Sequence, residues 1–154
     1  MPSTIDSRLA ELGITLAEAP PPAANYVPFV VTGNLVFISG QVSRDDAGFI
    51  TGQLGSGLDV AAGRAAARTC ALALIAQLRA ACGGDLDRLV RVVKLNGFVN
   101  AAPGFTEHPA VINGASDVMV EVFGDRGRHA RAAVGSVSLP LGVAVEVEGV
   151  FEIT

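Results

Sequence analysis

Apolar residues along this chain recur at two spacings, and the alternation between them outlines the elements. In residues 26–42, YVPFVVTGNLVFISGQV, two apolar runs flank Thr32-Gly33-Asn34-Leu35. Gly-Asn between such runs signals a hairpin, and the second run, LVFISG, is apolar on both sides, as a central strand would be. Residues 43–57, SRDDAGFITGQLGSG, read as loop with short pairing. From Leu58 to Cys82 the spacing changes to three and four. Cys70, Leu74, Leu78 and Ala81 share one helical face, and Arg64 and Arg68 share another. Gly83-Gly84 end that helix. Residues 89–99, LVRVVKLNGFV, predict a third long strand, with Asp85–Arg88 as its connector. A second helical pattern covers 104–123, with Val111, Met119 and Phe123 apolar and an interruption near Pro109. Residues 129–151, HARAAVGSVSLPLGVAVEVEGVF, predict a closing hairpin that turns at Leu139–Gly142.

In front stands a short helix over residues 3–12, capped by Ser3 with Asp6 three residues on and ended by Gly13. Pro20, Pro21 and Pro22 then make a stiff connector. Residues 1–22 are therefore expected as a helix and arm laid over a main domain of 23–154. The order ββαβαββ predicts an α+β layer, a mixed or antiparallel sheet with both main helices on one face. The other face must meet something, and in an oligomer it would meet other copies.

Composition narrows the choices. At 154 residues this is one domain, large enough to bury roughly 68–70% of its unfolded surface. Half the residues are hydrophobic and 17% charged. That leaves little polar surface for a monomer and again points to self-association. The formal charge is −4 and the pI about 5.0. No basic run appears, since Arg126 and Arg128 stand beside Asp125, so nucleic acid is not an expected partner. Cys70 and Cys82 lack a metal-site spacing and are expected as free thiols. MPSTIDSRLAELG has early acids and no apolar core of a signal peptide, and no run reaches membrane-span length. The chain is expected in the cytoplasm.

The candidate chemistry lies near the C-terminus. In the last strand Val143, Val145, Val147, Gly149 and Phe151 point one way, and Glu146, Glu148 and Glu152 the other. In the strand before it, Arg131, Ala133, Gly135 and Val137 share a face whose neighbours are small. A guanidinium among small apolar residues calls for an anion. Spacing alone puts a structural ion pair with a glutamate first, and the carboxylate of a small ligand, gripped by two parallel hydrogen bonds, second. His108 and His129 are too few for a metal site, and His129 reads as a surface residue. No G-x-S-x-G, Walker or dinucleotide pattern is present, and QLGSG reads as loop.

NYVPFVVTGNLVFISGQV and HARAAVGSVSLPLGVAVEVEGVF, with the long helix and LVRVVKLNGFV between them, resemble the reactive intermediate deaminase (Rid, YjgF) family, whose members often carry endoribonuclease names. The resemblance spans about residues 23–153, and the leading helix resembles a branch with a longer N-terminus. It implies a chorismate-mutase-like α+β domain in a homotrimer, with sheets facing inward and ligand clefts between subunits. It implies hydrolysis of small 2-imino acids to 2-keto acids and ammonia, without metal or organic cofactor. Arg131 would hold the substrate carboxylate and Glu146 would orient water and move protons. Tyr26, in the first strand, with Ser39, Gly40, Phe105 and the backbone of Ala133, would line the substrate. Pro28, two residues after the tyrosine, and Pro103 depart from the family pattern at the cleft border. The alternatives are a non-catalytic carboxylate-binding member, a ribonuclease (disfavoured by the acidic charge), a chorismate mutase (which needs more cations), and a scaffold with Arg131 in an ion pair.

Overall fold

A computed structural model describes residues 3–21 and 24–154. Helices α1 (Thr4–Glu11), α2 (Val60–Ala81) and α3 (His108–Phe123) accompany five strands: β1 (Phe29–Thr32), β2 (Leu35–Val42), β3 (Leu89–Asn100), β4 (Ala130–Ser136) and β5 (Val145–Ile153). The strands form one sheet in the order β1-β2-β5-β3-β4. All neighbours are antiparallel except β3 and β4, which run parallel. Two-residue pairings at Arg44–Asp45 with Gly48–Phe49 and Gln53–Leu54 with Gly57–Leu58 decorate the connection from β2 to α2. The main elements follow the expected ββαβαββ order.

The expected closing hairpin does not form. β4 and β5 are not neighbours, because the twelve-residue β3 lies between them and pairs with both. β3, α3 and β4 make a parallel crossover unit, for which a helix between two strands is the usual device. Alternation along a strand fixes its faces but not its partners. Pro109 does not interrupt α3 either. It sits in the first turn, where a missing N–H costs no intrahelical bond. The first strand begins at Phe29, so Tyr26 precedes it in a bend.

The local signals act as chemistry dictates. Ser3 caps α1 by accepting from the Asp6 N–H, and Asp59 caps α2 by accepting from the Ala62 N–H at 2.8 Å. Gly13, at φ +68°, ends α1; its N–H bonds to the Ala10 carbonyl, and that of Ile14 to the Leu9 carbonyl. This reciprocal pattern satisfies carbonyls that a helix end leaves unpaired. The Asp87 carboxylate accepts from the N–H groups of Thr4 and Ile5. So anchored, α1 sends Ile5 and Leu9 into the same core cluster as the two long helices. Burying two such side chains stabilises by about 1.5–3 kcal/mol each. The expected arm boundary, at residues 22 and 23, lies outside the described residues.

α2 and α3 cover one face of the sheet. Val36 and Ile38 of β2, Leu95 and Val99 of β3, and Val145, Val147 and Phe151 of β5 are buried beneath them. The helices cross closely because Gly114 lies against the Arg64 carbonyl: a Cβ at Gly114 would fall 2.1 Å from that oxygen. Arg64 and Arg68 reach across the crossing to Asp117 and Glu121, exposed pairs worth at most about 1 kcal/mol each. Among the described residues nothing covers the opposite face, which carries Val30, Phe37 and Val134, each about half exposed.

Replacing Gly114 by alanine should therefore force the two helices apart. The expected loss is about 1–3 kcal/mol, the range for overpacking a tight core, read from chemical denaturation. An unchanged midpoint would contradict the crossing.

Candidate functional site

Arg131 stands on β4, opposite the buried Leu95 of β3, and so projects toward α3. Asn113 and Ser116, three residues apart on α3, share the face that meets it. The Arg131 Nη1 donates to Asn113 Oδ1 at 2.8 Å and to Ser116 Oγ at 3.1 Å. Among the described residues no carboxylate pairs with Arg131. The expected glutamate ion pair is thus replaced by two neutral acceptors. Glutamates of β5 cannot serve, because they project from the other face of the sheet. Both Nη1 hydrogens are occupied, while Nη2 and Nε have no hydrogen-bond partner among the described residues. That free edge presents two parallel donors.

His129 is not a free surface residue. Gly127 packs so closely on α3 that a Cβ there would lie 2.0 Å from the Met119 carbonyl oxygen, and this contact draws the following residues under the helix. The His129 Nδ1 lies 2.6 Å from the Gly127 carbonyl and its Nε2 2.8 Å from Ser116 Oγ. A carbonyl only accepts, so Nδ1 carries the proton and Nε2 accepts from the serine hydroxyl. Burial of the ring, and secondarily the nearby Arg131 charge, hold its pKa below the usual histidine value.

Further along the same face of β4 come Ala133, opposite Gly97, and Gly135, against which His108 packs. Phe105 meets His108 edge to face, with ring centroids 5.3 Å apart. Arg131, Ala133 and Phe105 therefore lie on the helix side of the sheet.

Glu146 is on the other side. It pairs with Phe98 of β3 and Val42 of β2 on the uncovered face, two residues from Glu148. Partial burial, and then the Glu148 charge, raise its pKa above the ordinary carboxylate range. Gly40 leaves room for it: a Cβ at that position would lie 2.1 Å from Glu146 Oε1. Ser39 and Gly40 form a bulge where the β2–β5 register shifts between Ile38 and Gln41. The Ser39 N–H and hydroxyl bond back to the carbonyls of Pro28 and Val27. Pro28 thus supplies the one backbone group, its carbonyl, that a proline retains. The segment so held presents Tyr26 to solvent.

The candidate residues of one chain therefore divide into two candidate half-sites. Gly40 and Glu146 meet on the uncovered side, with Ser39 beside them in the bulge and Tyr26 exposed ahead of β1; Arg131 and Ala133 lie on the helix side, and Phe105 meets His108 where that histidine packs on Gly135. Arg131 and Glu146 lie on opposite faces, three residues apart along β3 and two strand gaps across, roughly 14 Å by strand geometry. Asn113, Ser116 and His129 completed the arginine half without standing out in the sequence. The available signal was Asn113 and Ser116, at i and i+3 in VINGASDVM, where Asp117 is the one other polar residue. No group of three or more potential metal ligands occurs among the described residues, and no described helix is long and apolar enough to cross a membrane. Cys70 and Cys82 are buried free thiols, and burial raises both pKa values.

Residues 6–151 match the family model described as "YjgF/chorismate_mutase-like, putative endoribonuclease". The protein TCP17 of Trypanosoma cruzi is 52% identical over 151 residues, covering 97% of this chain and 94% of its own. The crystal structure of Atu1372 from Agrobacterium tumefaciens, a protein of unknown function, is 49% identical with a TM-score of 0.89, over 97% of this chain and 93% of that one. RidA from an Antarctic Psychrobacter is 29% identical with a TM-score of 0.60, over 88% and 94%. The match spans nearly the whole chain, including most of α1, and with this fold it makes the chain a member of the YjgF/chorismate-mutase-like family.

Proposed function

We propose that this protein is an imine deaminase, hydrolysing small 2-imino acids to 2-keto acids and ammonia at clefts between the subunits of a homotrimer. The observation that carries the reading is the hydrogen bonding of Arg131. Two neutral acceptors hold one guanidinium nitrogen, and the Nε–Nη2 edge is left for a carboxylate. A half-buried cation clamped in place without an anion is the arrangement an anion-binding site requires.

The second half-site supplies acid–base chemistry. Water adds to the imine carbon, and the tetrahedral adduct expels ammonia as its carbonyl forms. Water and imine supply all the atoms of the keto acid and ammonia. Glu146 carries both protons of the water to the nitrogen in turn, one as the water attacks and the second as the hydroxyl of the adduct becomes the carbonyl and ammonia departs. Its raised pKa brings it toward the pH at which both roles are efficient. Because Arg131 and Glu146 occupy opposite faces of one sheet, the complete cleft takes Arg131 from one copy and Glu146 from the next. The uncovered apolar face, with Val30, Phe37 and Val134, supports this assembly. The separation of the two residues also favours a second reading, a carboxylate-binding protein without turnover. The acidic net charge weighs against RNA as substrate.

Generating 2-iminopropionate in situ with an amino-acid oxidase and trapping it with semicarbazide separates the two readings. Deaminase activity suppresses semicarbazone formation; a binder leaves it unchanged. Arg131→Gln and Glu146→Gln are each expected to abolish the suppression. Arg131→Gln should nevertheless stay within about 1 kcal/mol of wild-type stability, because it strands no carboxylate. A loss of about 3–5 kcal/mol would instead mark a broken buried ion pair.

Sedimentation should give the mass of three chains. Phe37→Asp, on the uncovered face, should shift the protein toward monomer. A wild-type monomer at micromolar concentration would contradict the shared cleft.

A further inference from the structure

α3 holds Arg131 through two unlike side chains. Asn113 offers a fixed carbonyl oxygen. Ser116 is itself bonded to His129, whose ring is locked by the Gly127 carbonyl. We infer that His129 acts through Ser116 as a positioning group for Arg131, so that the site binds carboxylate ligands more tightly when His129 takes up a proton. This inference rests on the reading of Arg131 as a carboxylate anchor and names what regulates it.

Hydrogen-bond bookkeeping gives the mechanism. With the ring neutral, Nδ1–H donates to Gly127 and Nε2 can only accept. Ser116 then gives its single hydrogen to the ring, while its oxygen accepts from Arg131. The hydroxyl has no hydrogen left for a ligand. Once Nε2 is protonated it donates to Ser116 Oγ, and the serine hydrogen is released to donate to a carboxylate held on Arg131. A positive charge also arrives one residue from the guanidinium contact. In the empty site that charge is unfavourable, in keeping with the lowered pKa of the ring. A bound carboxylate offsets it. By linkage, proton and anion then strengthen each other's binding by the same factor.

The charged surroundings allow this coupling. Just ahead of β4, His129 faces Arg131, two residues along the chain. Beside it, Arg128 turns toward Asp125. On β3, Arg91 donates to the Arg128 carbonyl, and Lys94, opposite Val150, projects from the uncovered face. On α3, Asp117 is paired with Arg64 and Glu121 with Arg68. Among the described residues no carboxylate lies within salt-bridge distance of His129 to compensate its charge in the empty site.

The test is calorimetric binding of pyruvate, a 2-keto acid whose carboxylate stays ionised from pH 5.5 to 8. The expected wild-type result is affinity about five-fold or more tighter at pH 5.5 than at pH 8, the lower end of typical coupling. In the same protein pyruvate should raise the pKa of the His129 imidazole, followed by NMR. His129→Gln and Ser116→Ala should flatten the pH dependence. Asn113→Ala should weaken binding at every pH and leave the slope intact. Wild-type binding that ignores pH, or a slope that survives in His129→Gln, overturns the relay alone. No pyruvate binding at any pH overturns the carboxylate-anchor reading, and the relay with it.

Discussion

The placement of β3 between β4 and β5 governs everything this chain can do at its candidate site. Pairing on both of its edges, parallel with β4 and antiparallel with β5, it sets the register of both functional strands at once. Arg131 falls opposite Leu95 and turns under α3. Glu146 falls opposite Phe98 and turns away. A shift of one residue in either ladder would send the corresponding charge to the other face. In the β5 ladder Val145 and Val147 would move with Glu146, from the core into the open. The same burial that stabilises the sheet therefore fixes the separation of Arg131 and Glu146.

That separation gives each group its own environment. Arg131 is held by neutral oxygens on a helix that Gly114 brings close to α2, so its position is set by helix packing rather than by a counter-charge. A carboxylate partner would have neutralised it and filled the edge that a ligand needs. Glu146 has the opposite surroundings: a glycine that makes room, partial burial, and a second carboxylate two residues away. Desolvation and like charge both favour its protonated form. A fixed cation with no carboxylate partner among the described residues and an acid biased toward its proton are what the proposed reading requires for an anionic, protonatable ligand.

Much of this was legible in the residues, to different depths. Several helix ends were readable because caps are local: Ser3 bonds an N–H three residues away, and Gly13 and Gly83 need only their own positive φ; the start of α2, read at Leu58, instead follows the Asp59 cap. The β1–β2 hairpin was readable for the same reason, through Gly33-Asn34. The facing of Val145, Val147 and Phe151 followed from alternation. Strand partnership did not, because the residues that flank Leu139–Gly142 pair with a strand more than thirty positions earlier, and nothing local encodes that choice. Arg131 announced itself as a cation among small residues, but its partners did not. Asn113 and Ser116 are ordinary polar residues on a helix, and only the crossover that lays α3 over β4 gives them a role. His129 was misjudged for a related reason: its burial comes from the Gly127 contact with the α3 backbone.

The central claim is that catalysis needs Arg131 from one copy and Glu146 from its neighbour. Subunit mixing tests it most directly. Arg131→Gln and Glu146→Gln chains, each inactive alone, are unfolded together, refolded as an equimolar mixture and assayed for suppression of semicarbazone formation. In a closed three-fold ring, random assembly leaves about a quarter of the clefts with both native side chains. The account predicts activity near about that fraction of wild type. A mixture as inactive as its parents, with mixed trimers verified by mass, would contradict it.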